Sequence, residues 1–192
     1  MKLKICGLMT LDDVLAVNAC AVDYAGFVLT PHRQCISMKI LRELKAALNS
    51  KIKAVGVFVN ESPEYIRGIV DEGIIDVVQF HGGWEAPMPC PTIRAFRIRS
   101  AQDVKPTCCD YVLFDSFSEK AVGATGEAFD WNIIKGYNEK PFFLAGGITS
   151  STISNTVQVK PYCIDVSSGA EINGKKDKRL IRELCSALAA TV

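Results

Sequence analysis

Several short stretches of this 192-residue chain carry side chains able to move protons or hold anions. Cys6 lies in Lys4-Ile5-Cys6-Gly7, where a short apolar run meets a glycine. A thiol is a candidate base or nucleophile once a cation or dipole favours the thiolate. Asp115 follows the apolar run Tyr111-Val112-Leu113-Phe114 and presents a carboxyl group at its end. Gly146-Gly147 and Ser167-Ser168-Gly169 pair unobstructed backbone N–H groups with two hydroxyls, a pattern suited to phosphate. His32, Arg33, His81 and Arg97 complete the polar set, and an arginine fork suits a carboxylate. Two proton-transfer groups flanking a small phosphorylated molecule suit an isomerisation. One group takes a carbon-bound proton while the other protonates an oxygen.

Each residue also has a plainer reading. Cys6 is one of eight cysteines (6, 20, 35, 90, 108, 109, 163 and 185), and free cysteine often serves as a small core hydrophobe. Asp115 could cap a helix or sit satisfied in the interior. The arginines could be solvated loop charges, and the glycine pairs ordinary turns. An unperturbed thiol, with a pKa of about 8.5, is scarcely ionised at neutral pH, so a basic Cys6 needs help. Lys4 is near, but strand alternation is expected to point it elsewhere. Asp165 is expected to orient the serine loop or satisfy its backbone donors.

The elements that must position these groups are legible in the pattern. Eight short apolar, β-branched runs (3–5, 24–28, 54–58, 77–80, 93–97, 111–114, 142–145 and 163–166) lack the helical period and predict strands. Helix starts are signalled between them at Thr10 or Asp12, Ser37, Ser62-Pro63, Ser100 with Asp103, Asp130, Ser151 and Asp177. The segment after the fourth strand holds Pro87, Pro89 and Pro91 and cannot sustain a helix. Residues 1–192 are therefore expected to form one compact (β/α)8 barrel, with the helix after strand four shortened or missing. All the polar groups above then fall at strand ends facing one mouth.

Composition narrows the class. The net charge is +1 and no basic block stands out, so nucleic acid is not an expected partner. No apolar run is long enough for a membrane span, and the opening residues are not expected to act as a signal peptide. A cytoplasmic protein with reduced cysteines, mostly core filler, is expected. No metal-ligand spacing is present.

These stretches, taken in order, resemble the phosphoribosylanthranilate isomerase family of tryptophan biosynthesis. The resemblance is carried by Lys4-Ile-Cys-Gly7, Gly26-Phe-Val28, Val55-Gly-Val-Phe58, Val78-Gln-Phe-His-Gly82, Ala95-Phe-Arg97, Leu113-Phe-Asp115, Leu144-Ala-Gly-Gly147 and Ile164-Asp-Val-Ser-Ser-Gly169, with Gly174-Lys-Lys-Asp177. Gly123 to Gly126 with Phe129-Asp-Trp131 adds a loop expected to act as a lid. The resemblance implies a cofactor-free barrel rearranging N-(5′-phosphoribosyl)anthranilate; no metal, and a monomer or homodimer, are expected. It implies that Asp115 is the general acid and Cys6 the general base. Gly147, Ser167, Ser168 and Gly169 would lie at the phosphate, and an arginine after strand two would meet the anthranilate carboxylate; Gly146 and His81 are expected to bind the substrate beside them. There the chain departs from the family. Arg33-Gln34-Cys35-Ile36-Ser37 puts Gln34 in the arginine's slot and Arg33 one position early. Ala124 stands where a second lid glycine is common. The competing readings are the related aminoimidazole-ribotide isomerase of histidine biosynthesis and a non-catalytic barrel that binds a phosphorylated ligand.

Overall fold

Val, Ile and Phe dominate eight runs, none longer than the seven residues of Thr92–Ile98, and each becomes a strand. They are β1 (Lys2–Cys6), β2 (Tyr24–Val28), β3 (Lys53–Phe58), β4 (Val77–Phe80), β5 (Thr92–Ile98), β6 (Tyr111–Ser116), β7 (Phe142–Leu144) and β8 (Cys163–Val166). All pair in parallel in sequence order, and β8 returns to β1 to close a barrel. The computed structural model describes residues 1–116 and 130–191. The loop expected as a lid, 123–126 with Phe129, lies outside the described residues.

Four α-helices follow the start signals. Thr10 caps α1 (Leu11–Asn18) in a reciprocal capping box with Asp13. Ser37 caps α2 (Met38–Ala47), and Ser62 with Pro63 opens α3 (Pro63–Asp71). Asp177 caps α4 (Lys178–Ala189). No helix joins β4 to β5, as the three prolines require. The helices expected at Ser100, Asp130 and Ser151 are corrected to 3-10 segments: Ala101–Asp103, Trp131–Ile134 and Ile153–Val159. Ser100 and Asp103 do form their capping box, but Pro106 follows within a turn and leaves no length to propagate. In the last segment, four of seven residues (Ile153, Thr156, Val157 and Val159) are β-branched, and Pro161 follows. Among the described residues, no helix is long and apolar enough to cross a membrane.

Side chains alternate along each strand between the helix layer and the barrel interior. The interior narrows from an aromatic floor to a polar ceiling. Tyr24, Tyr111, Phe143 and Tyr162 pack edge-on or stacked at the floor, with the Lys2 ammonium 5.5 and 5.4 Å from the Tyr24 and Tyr162 rings. Val55, Val77, Ile93 and Leu113 fill the middle. Lys4, Gln79 and Asp165 form a buried polar layer beneath the mouth. Beyond β8, β9 (Glu171–Ile172) and β10 (Lys175–Lys176) form a small hairpin.

Candidate active site

One cavity at the carboxyl ends of the strands, about 780 Å3 including its open mouth, is lined by Cys6, His81, Asp115, Gly146, Gly147, Ser167, Ser168 and Gly169. Cys6 comes from β1 and Asp115 from β6, three steps apart around the ring through β7 and β8. The acid and base therefore face one space from different walls.

Cys6 owes its room to Gly26, its register partner on β2. A Cβ at Gly26 would stand 2.7 Å from Cys6 Sγ and 3.0 Å from Cys6 Cα. Burial pushes the thiol above its ordinary value, and Asp165 adds to that. Lys4 and Lys176 pull it back. Lys4 corrects the expectation that alternation would turn it away, because residues two apart on a strand share a face. It is fully buried and donates to Gln79 Oε1 at 2.6 Å and Asp165 Oδ2 at 2.7 Å. Burial alone would discharge Lys4, but Asp165 and Cys6 hold it above its usual range. The site thus has an internal cation one turn of the pleat below its thiol. Asp165 is likewise corrected: its Oδ2 serves Lys4, and its buried Oδ1 has no hydrogen-bond partner among the described residues.

Asp115 is 7 % exposed, and its Oδ1 accepts the Ser116 backbone N–H at 2.8 Å. Burial, with Asp165 adding charge repulsion, raises its carboxyl to about 6. Arg97, Lys4 and the Ser116 N–H oppose the rise. A carboxyl poised there holds a proton to give at moderate pH. His81 is pushed down to about 4 by burial first and then by Arg97 and Lys4, so it works as a neutral ring. Because Lys4 occupies Gln79 Oε1, the Gln79 amide turns its NH2 to His81 Nδ1, 3.5 Å away. That network assigns the ring proton to Nε2, which has no partner among the described residues.

The loops after β7 and β8 approach each other closely. A Cβ at Gly169 would fall 2.0 Å from the Ile148 carbonyl oxygen, so only glycine permits this contact. Lys176, on the hairpin, ties the second loop by donating to the Ser167 carbonyl at 3.0 Å and Glu171 Oε1 at 2.6 Å.

Arg33 is not brought to the cavity. Its Nη2 lies 3.0 Å from Glu171 Oε2, and its side chain is 46 % exposed. Gln34 lines the cavity instead, almost fully buried, with Nε2 donating to Glu171 Oε1 at 2.8 Å. Sequence reasoning missed Gln34 and Gln79 as lining residues, and missed what Lys4 and Lys176 do. Counting back two residues from Cys6 and His81 would have flagged Lys4 and Gln79. Of the cysteines, Cys109 and Cys163 lie in the core and Cys20, Cys90 and Cys185 pack against it, in line with the core-filler reading, while Cys35 and Cys108 are exposed.

Comparison with known proteins adds the family. Residues 3–187 match the model of N-(5′-phosphoribosyl)anthranilate (PRA) isomerase. The chain is 42 % identical over 187 residues to the N-(5′-phosphoribosyl)anthranilate isomerase of Caldanaerobacter subterraneus subsp. tengcongensis, covering 92 % of each. The crystal structure of phosphoribosyl anthranilate isomerase from Thermus thermophilus superposes with a TM-score of 0.86 at 28 % identity, covering 100 % of both chains. A phosphoribosyl anthranilate isomerase in complex with reduced 1-(o-carboxyphenylamino)-1-deoxyribulose 5-phosphate gives 0.82 at 28 % identity, covering 99 % of both. A closed eight-stranded barrel, a thiol and a carboxyl at one mouth, and this similarity over nearly the full length agree: the chain belongs to the N-(5′-phosphoribosyl)anthranilate isomerase family.

Proposed function

We propose that the chain, as one catalytic domain spanning 1–192, converts N-(5′-phosphoribosyl)anthranilate to 1-(2-carboxyphenylamino)-1-deoxyribulose 5-phosphate, with Asp115 as acid and Cys6 as base. The carrying observation is that these two groups, with perturbed proton affinities, face one cavity in a chain of this family. Asp115 gives its proton to the ribose ring oxygen, the C1′–oxygen bond breaks, and the nitrogen lone pair forms the iminium. Cys6 thiolate then takes the C2′ proton, and that electron pair makes the enolamine, which tautomerises to the ketone. Asp115 has lost one proton and Cys6 gained one, so exchange with solvent resets the pair.

The backbone N–H groups around Gly146-Gly147 and Ser167-Ser168-Gly169 would hold the phosphate, and neutral His81 would donate to the substrate through Nε2. Lys4 acts indirectly, keeping a positive charge beside the thiol where water is excluded. The partner is a small phosphorylated molecule rather than nucleic acid or membrane. The protein would act as a monomer or homodimer in the cytoplasm. The test is turnover of N-(5′-phosphoribosyl)anthranilate by the full chain and by Cys6→Ala and Asp115→Asn. Each variant is expected to lose about 10²–10⁴-fold in kcat while still binding the reduced product. Wild-type rates in either variant would remove that residue from the mechanism.

A further inference from the structure

We propose that Arg97, at the mouth end of β5, binds the carboxylate on the substrate's aromatic ring. The inference rests on the isomerase reading above, which gives the substrate a phosphate at one end and a benzoate at the other. The phosphate is accounted for by the loops after β7 and β8. The carboxylate needs a cation, and the basic groups around the mouth are mostly committed elsewhere.

Lys4 is spent on Gln79 and Asp165, and Lys176 on Glu171 and the Ser167 carbonyl. Arg94 donates to the Trp84 carbonyl at 2.6 Å and lies 3.6 Å from Glu85. Arg33 lies outside the cavity against Glu171. Gln34 contributes no charge and already gives an N–H to Glu171.

Arg97 differs from all of these. It forms no hydrogen bond or ion pair among the described residues. Ile93 and Ala95 belong to the barrel interior, so alternation turns Arg97 inward at the mouth. It is the register partner of Asp115, and its charge acts on both Asp115 and His81. It lines a recess that adjoins the main cavity and shares Val59 and His81 with it. A benzoate reaching past His81 would therefore meet an uncommitted guanidinium, which can take both carboxylate oxygens, with His81 Nε2 as a neutral second donor.

The test is calorimetric binding to the full chain, since Arg97 also neighbours Asp115 and kcat would mix the two effects. The probes are reduced 1-(o-carboxyphenylamino)-1-deoxyribulose 5-phosphate and its counterpart lacking the ring carboxylate. Wild type is expected to prefer the carboxylated probe, by about 10- to 10²-fold for a charge-assisted bond. Arg97→Met should abolish that preference while binding the second probe as wild type does, and Arg97→Lys should retain part of it. Thermal melts of both variants confirm folding. If wild type shows the preference and folded Arg97→Met or Arg97→Lys keeps it in full, the anchor lies elsewhere and only this inference falls. If wild type binds neither probe, the isomerase reading fails and takes the inference with it. Binding without any preference overturns the inference alone.

Discussion

Replacing Gly26 by alanine adds one methyl group and should disable the thiol on the neighbouring strand. The added carbon would stand 2.7 Å from Cys6 Sγ and 3.0 Å from Cys6 Cα. Ordinary contact is about 3.5–4.0 Å, so the sulfur must move by about 1 Å. The backbone cannot retreat freely, because the Gly7 and Leu8 N–H groups both donate to the Gly26 carbonyl, at 2.9 and 3.0 Å. A 1 Å misplacement of a reacting group costs about 10²-fold in rate. Overpacking of this kind costs about 1–3 kcal/mol, which lowers Tm by about 2–12 °C in a chain of this length. The assay is kcat at saturating N-(5′-phosphoribosyl)anthranilate, beside a thermal melt. Gly56→Ala is the control, since its methyl meets the Phe58 and Ile75 side chains at 2.8 and 2.9 Å, away from the cavity. The control should share the loss of Tm and keep kcat. A Gly26→Ala enzyme with wild-type kcat would refute the claim that close packing of β1 on β2 positions the base.

Two pH effects follow from the opposed proton affinities at the mouth. The productive state needs Asp115 protonated and Cys6 ionised, yet the carboxyl titrates at about 6 and the thiol above its usual value. kcat/KM should therefore climb with pH to about 6, stay level, and fall only as the thiol titrates; a decline already at neutral pH would contradict this ordering. Stability moves the other way. Asp115 rises from 3.8 to about 6 on folding, so the native state is fully favoured below about 4 and loses stability until about 6. Asp115→Asn removes that cost and should be more stable than wild type at pH 8, by about 3 kcal/mol on linkage arithmetic. The advantage should vanish below pH 4 in urea melts, and equal stabilities at pH 8 would show that the acid is not strained in its place.

The barrel was legible because its strands are short, apolar and bounded by strong punctuation. The runs 24–28, 77–80 and 163–166 match β2, β4 and β8 residue for residue. The chain's thin helical layer was legible only at the prolines after β4, since Ser100 and Asp103 form their capping box on a segment too short to extend. At the site, residues named for their chemistry at strand ends, such as Cys6, His81 and Asp115, do line one cavity. Gln79 was not named, and neither the inward turn of Lys4 nor the place of Gln34 in the cavity was foreseen. Nothing in a lysine or glutamine by itself signals burial, and the partners are distant in sequence: Gln79 and Asp165 lie 75 and 161 residues from Lys4, and Glu171 lies 137 from Gln34. Arg33 was misplaced because charge type alone does not reveal that a carboxylate beyond β8 already claims it.

The uneven helical layer has a mechanical consequence. α4, α1, α2 and α3 succeed β8, β1, β2 and β3, four neighbours in the ring, whereas no α-helix succeeds β4 to β7 among the described residues. Cys6 stands on the arc followed by α-helices, and Asp115 and Arg97 stand on the arc whose described connections carry 3-10 segments. Short 3-10 segments brace a strand less than α-helices do, so amide exchange is expected to be faster in β5 and β6 than in β1 and β2. On that expectation, the separation of acid from base is a compliance of that arc rather than a fixed length. Stiffening that arc, without touching the cavity, is a way to retune the reaction.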